Sequence, residues 1–253
     1  MLRWVHIAAG LIAILAGFTA LFAKKGSPLH RRAGDVFVVA MITLTGTAWY
    51  AATFVHPNRG NVVAAMVTLY LVTTAFLTVK RDVAAARGWY VGLMLLGLAA
   101  TARAAWLGLL AVREGGVDKF PAGVFFAFGF VALSGVLLDG RLLIAGHIEG
   151  AQRLVRHLWR MGTGMWIATA SLFLGQAKFF PEAMRGSGVL TVPVLVVAGV
   201  TCFELVRTVR RKRRAAKPAL GWTFNPAASS FPQMACSADR ARSHAGTGRQ
   251  GFP

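Results

Sequence analysis

The sequence predicts an all-α polytopic membrane protein, with seven transmembrane helices and an interfacial amphipathic helix before the sixth. Three observations lead there. Only 15% of the 253 residues are Asp, Glu, Lys or Arg and 56% are hydrophobic, whereas an ordinary soluble domain carries about 25% charged residues. Apolar runs of roughly 18–24 residues recur, each long enough to cross a hydrocarbon core of about 30 Å at about 1.5 Å per residue. Finally, the basic residues collect in alternate connections between those runs.

The first span covers Val5–Ala23. Its apolar stretch outruns the roughly 7–15 residues of a signal-peptide core, and Lys24 and Lys25 follow it rather than precede it, so it reads as an uncleaved span. The second, Gly34–Val55, is introduced by SPLHRRAG and closed by HPNRG, a Pro/Gly turn. The third is Asn61–Val79. The fourth, Gly88–Val112, and the fifth, Pro121–Leu138, flank REGGVDKF, another turn. In the stretch 139–160, Ile144, Ile148, Ala151, Val155 and Leu158 recur at helical spacing. Arg141, Glu149, Arg153, Arg156 and Arg160 populate the opposite side. That pattern predicts an amphipathic helix lying in the cytoplasmic interface. The sixth span, Leu158–Ala177, and the seventh, Val189–Val209, are joined by a connection containing FFPEAMRGSG. These spans are helices because an open sheet leaves its edges unsatisfied in lipid, and the short alternating strands of a barrel are missing. Residues 1–217 thus form a seven-helix bundle. Residues 218–253, rich in Pro, Ser, Gly and Ala without apolar periodicity, read as a disordered cytoplasmic tail.

The net charge of +19 first suggests a nucleic-acid partner, but its placement argues otherwise. Eighteen basic residues fall in one set of alternate connections and six in the other. The heavier set includes Lys24, Arg31, Lys80, Arg87, Arg153 and the run that starts at Arg207; the lighter includes Arg59, Arg113 and Lys178. The positive-inside rule then places the amino terminus outside and the carboxyl terminus in the cytoplasm, in a bacterial inner (plasma) membrane. The expected partners are the bilayer itself and anionic lipid at the cytoplasmic connections, with no nucleic acid. Another membrane subunit or a homo-oligomer remains compatible with the sequence. Two cysteines, Cys202 and Cys236, offer no paired spacing for a disulfide frame or a zinc site.

Residues for catalysis are scarce. No GxSxG or HExxH motif appears. Most of the nine acids fall in loops or at span ends, and none at mid-membrane. The reading leans away from an enzyme and names no catalytic residue. Histidines and arginines are the better candidates for ligand binding: His6, His30, Arg32, Arg103, His157 and Arg160. His30 opens the second span and His157 the sixth, each followed by an arginine (Arg32, Arg160) and a glycine (Gly34, Gly162). Two imidazoles at one depth on different helices suit a metal ion or the two faces of a haem iron. The arginines suit an acidic group. His30 and His56 are separated by about 39 Å of helix, too far for two stacked haems on one helix, so one b-type haem on the cytoplasmic side is the redox alternative. Arg103 stands within the fourth span, where a charge snorkels or finds a partner.

The run 6–42, together with 156–176, resembles a family of bacterial multi-helix predicted membrane proteins of unknown function, a likeness that covers most of residues 1–210 and none of the tail. The features that carry the resemblance are HxxxG at His6–Gly10, LHRRxG at Leu29–Gly34 and HxxRMG at His157–Gly162. The resemblance implies the multi-helix membrane fold and singles out His6, His30 and His157 without giving them a role. The expected function is binding or moving a small or lipid-like ligand, with the single-haem redox protein as the alternative.

Overall fold

The computed structural model describes residues 1–215, so the expectation of a disordered tail lies outside the described residues. The chain is an all-α polytopic membrane protein with no strand among the described residues. Its helices are α1 (Leu2–Phe22), α2 (Pro28–Tyr50), α3 (Arg59–Lys80), α4 (Arg87–Glu114), α5 (Ala122–Ala145), α6 (Gly150–Phe173), the short α7 (Glu182–Gly186) and α8 (Val192–Ala215). Six of them, α1 to α5 and α8, are long and apolar enough to cross a membrane. The 24-residue α6 is of the same length, but its first half carries Gln152, Arg153, Arg156, His157 and Arg160.

Local chemistry sets the helix ends. Ser27 caps α2, its hydroxyl accepting from the His30 amide, and Pro28 stands in the first turn, where a missing N–H costs nothing. SPLHRR is therefore the opening of the helix rather than a loop before it, and α2 starts six residues before Gly34. At its other end α2 widens into a π-helical turn, Ala51–Val55. Gly115 and Gly146, with φ of 74° and 72°, end α4 and α5 in the left-handed region, which glycine enters without a Cβ penalty.

Gly146 changes the reading of residues 139–160. Expected as one amphipathic helix in the interface, this stretch is divided. Residues 139–145 form the last turns of α5, residues 146–149 make a turn, and Gly150 begins α6. The arginine face of α6 also points the other way. Arg156 and Arg160 are buried, while Leu154 is exposed. A helix surrounded by lipid lowers its free energy by turning its charged face toward neighbouring helices and its apolar face outward.

α3 is the central helix: 12 of its 22 residues are buried, against 4 of the 21 in α1. One side of α3 presents Val63, Val67, Tyr70 and Leu71 to α4 and α5, which contribute Ala100, Ala104, Leu107, Phe125 and Ala132. Its other side presents Val72 to a second core, built from Ala13, Phe37, Met41, Met165 and Val197 of α1, α2, α6 and α8. Small residues allow the closest approaches. A Cβ on Gly17 would collide with Met165, and one on Gly162 with Thr201.

Candidate functional site

Between α3, α5 and α6 the bundle encloses a charged centre. Asp139, on α5, is fully buried, and so is Arg160 on α6; Arg156, one turn earlier on α6, is 6% exposed. The fifth span is expected to end at Leu138, just before Asp139. Asp139 lies inside α5, six residues before the helix terminates, because α5 continues past Leu138 to Gly146.

The geometry explains how a carboxylate survives there. Arg160 donates from Nη2 to Asp139 Oδ1 at 2.8 Å and from Nη1 to Oδ2 at 3.3 Å, a two-pronged contact of the strong charge-assisted kind. The Tyr70 hydroxyl donates to Oδ2 at 2.5 Å. Arg160 also donates to the Gly135 carbonyl at 2.9 Å and to the Thr74 hydroxyl. Arg156 Nε donates to the Thr78 hydroxyl at 2.9 Å, and Arg153 holds the carbonyls of Thr78 and Val79 at 2.8 and 2.9 Å. Thr74 and Thr78 send their own protons to the carbonyls of Tyr70 and Thr74, which leaves their oxygens free to accept from the arginines. Two stripes thus meet, Tyr70/Thr74/Thr78 on α3 and Arg153/Arg156/Arg160 on α6.

Tyr70 reaches the carboxylate because two glycines make room for its ring. A Cβ on Gly97 of α4 would fall 2.8 Å from Tyr70 Cζ, and one on Gly135 of α5 would fall 2.8 Å from its hydroxyl. The Arg160 guanidinium lies 5.3 Å from the Tyr70 ring centre and 5.1 Å from that of Trp159, within cation–π range. Among the described residues, two arginines and one aspartate thus form the centre, one positive charge in excess.

The residues singled out in the sequence are distributed as follows. Arg160 lies in this centre. His157, three residues before it, has Nδ1 3.2 Å from the Ala75 carbonyl. His30 has Nδ1 2.9 Å from the Ala20 carbonyl. His6 bonds Thr47 Oγ1 at 3.0 Å at the opposite end of the α1/α2 pair. Arg32 is exposed and makes no hydrogen bond or ion pair among the described residues. Arg103 is half-buried, and its Nε has no partner among the described residues. No group of three or more His, Cys, Asp or Glu side chains converges among the described residues. Asp139, Arg156 and Tyr70 were not singled out. Their signal was present as polar residues spaced at one helical turn, 70/74/78 and 153/156/160, in otherwise apolar surroundings.

No curated protein and no solved structure matches the chain. A family described as "Predicted membrane protein (DUF2306)" matches residues 3–139, from the start of α1 through the buried Asp139. The match spans more than half of the sequence, and the chain belongs to that family of predicted membrane proteins.

Proposed function

We propose that the protein binds, and moves within the membrane, a small or lipid-like ligand that carries an anionic group, using the polar seam between α3, α5 and α6. The observation that carries this reading is the charge balance of the centre. Arg156 and Arg160 share a single carboxylate, whereas a purely structural lock is better served by equal numbers of opposite charges. Isolated charge inside a membrane is costly and marks functional sites by default. An anionic group on a ligand supplies the missing charge. A lipid-like ligand also suits the groove of about 600 Å³ between α1 and α2, lined by Val5, Ala8, Ile12, Val36 and Val39, with Asp35 as its one charged residue. By the positive-inside rule, the end bearing Lys24, Lys25, Arg31 and Lys80 is cytoplasmic, in a membrane of the bacterial inner type. Anionic lipid is the partner available there.

The test is thermal unfolding of the purified protein against inorganic anions and against anionic and zwitterionic lipids. A ligand that binds only the folded state raises the midpoint with its concentration. Anionic compounds that shift it no more than zwitterionic ones sink the proposal.

A second reading is the b-type haem between His30 and His157. It is favoured by their hydrogen bonds. A carbonyl only accepts, so Nδ1 carries the proton in each neutral ring and Nε2 is left with its lone pair, as an iron ligand needs. The visible absorption spectrum decides it, since a bound haem gives a Soret band that sharpens on reduction.

A further inference from the structure

The charged centre has two halves that differ in how fully their groups are used. In the deep half Arg160 makes four hydrogen bonds, to Asp139 twice, Thr74 and Gly135, and only its Nε has no partner among the described residues. In the shallow half Arg156 makes one aligned hydrogen bond, to Thr78. Its Nη2 is ion-paired to Asp139 Oδ1 at 2.5 Å, and no second acceptor stands in hydrogen-bonding geometry to it among the described residues. Beside it stands Tyr90, three residues into α4 and fully buried. The Arg156 guanidinium lies 5.8 Å from the centre of that ring, and the Tyr90 hydroxyl also has no partner among the described residues. Buried polar atoms are nearly always satisfied, and an exception needs an explanation. Here two of the exceptions lie on neighbouring side chains, one of them on the cation that exceeds the charge of Asp139.

From this we infer that Arg156 and Tyr90 form the subsite for the anionic group of the ligand, an oxyanion of the carboxylate or phosphate class, while Arg160, Asp139 and Tyr70 form a fixed scaffold behind it. The inference rests on the proposed function and names the atoms. The oxyanion takes the protons of Arg156 Nη2 and of the Tyr90 hydroxyl and neutralises the surplus charge. Arg156 retains 6% exposure whereas Arg160 has none, and both Arg156 and Tyr90 lie within two turns of the ends of α6 and α4. The subsite is thus the part of the centre nearest the aqueous boundary. Two sources share this chemistry: a free anion from water and the headgroup of an anionic lipid.

The experiment compares wild type with Tyr90→Phe and Arg156→Lys. One arm titrates inorganic phosphate into protein in neutral detergent. The other reconstitutes the protein in nanodiscs with increasing phosphatidic acid in phosphatidylcholine. The readout in both is the apparent Kd from the shift in melting midpoint. Wild type should bind in the arm that matches the natural source. Tyr90→Phe should weaken that binding about tenfold or more, the loss of one hydrogen bond to a charged group. Its ligand-free midpoint should equal that of wild type, because the hydroxyl has no partner to lose. Arg156→Lys keeps the charge and loses the planar fork, and should weaken binding similarly. Wild type binding in neither arm removes the proposed function and this subsite together. Wild type binding with both variants unchanged removes the subsite alone. A lowered ligand-free midpoint for Tyr90→Phe shows the hydroxyl already engaged and also overturns it.

Discussion

The protein joins arginine to aspartate at two places, and the surroundings make them different devices. On one side of the bundle Arg59, at the start of α3, meets Asp118 in the turn between α4 and α5. The side-chain contact is 3.3 Å, with the two side chains 44% and 22% exposed. The Arg59 amide also donates to Asp118 Oδ2 at 2.5 Å, and Phe120 of the same turn packs where Gly60 has no Cβ. On the other side, Arg156 and Arg160 meet Asp139 with side chains that are 6%, 0% and 0% exposed. Water screens the first pair and supports either partner alone. The second has no water to fall back on. An exposed ion pair contributes about 0–1 kcal/mol, whereas removing one partner of a buried pair costs about 3–5 kcal/mol, because the other is stranded.

The sharpest way to break the comparison is Asp139→Ala, which leaves two buried arginines without a counter-charge. It should lower unfolding stability by about 3–5 kcal/mol, read as a fall in the denaturant midpoint in detergent. A loss below about 1 kcal/mol would mean that the centre is wet and behaves like the exposed pair.

Next in size is Gly97→Ala. The new methyl meets Tyr70 at 2.8 Å and Val136 at 2.9 Å, and overpacking of this kind costs about 1–3 kcal/mol. The control is Gly92→Ala on the same helix, which meets nothing within 4 Å and gains helix propensity. Equal midpoints for the two variants would show that Tyr70 is not held in its slot.

Asp118→Asn removes the exposed pair's charge and should cost less than about 1 kcal/mol. It should also alter the acid limb of the stability curve. Partial burial pushes the Asp118 carboxyl up, but hydrogen bonds from the Arg59 side chain and amide pull it further down, so it titrates below the usual carboxylate range. A group depressed in the folded state stabilises above its unfolded pKa, and that contribution fades as the pH falls through the lower folded value. Wild type and Asp118→Asn should therefore differ at neutral pH and converge in strong acid. A gap that widens in acid reverses the assignment.

The smallest effect is expected from Arg103→Leu. No aspartate, glutamate or carbonyl bonds Arg103 among the described residues, so there is nothing to strand. Stability should stay within about 0.5 kcal/mol of wild type or rise. A loss of more than about 1 kcal/mol would reveal a partner that the described residues do not include.

The two regions also differ in what the sequence disclosed. The apolar spans were legible because hydropathy and length are local properties, and HPNRG and REGGVDKF announced the turns that carry Arg59 and Asp118. Helix ends were less legible. Asp139 and Arg141 look like the margin of a span, so α5 was read as ending at Leu138, while the true terminator was Gly146 with its positive φ. The centre stayed hidden because a charged helical face is read as facing water. Inside a bundle bathed in lipid the rule inverts, and the polar face of α6 turns toward α3. His30 and His157 drew attention as residue types, yet their bonds run to the backbone. The chemistry around Arg160 depends instead on Tyr70, which lies far from it in sequence.

The arginine stripe of α6 bears on how the chain is made. A segment with Arg153, Arg156 and Arg160 partitions poorly into lipid alone, since each charge costs about 2.5–3.5 kcal/mol at the middle of a lone helix. The groups that bond those arginines, Thr74, Thr78 and Val79 on α3 and Gly135 and Asp139 on α5, all precede α6 in the chain. A nascent chain emerging from its amino terminus therefore has the acceptors in the bilayer before the donors arrive. On that order, α6 is expected to enter by docking its arginine stripe against helices already inserted, so the order of synthesis favours its burial.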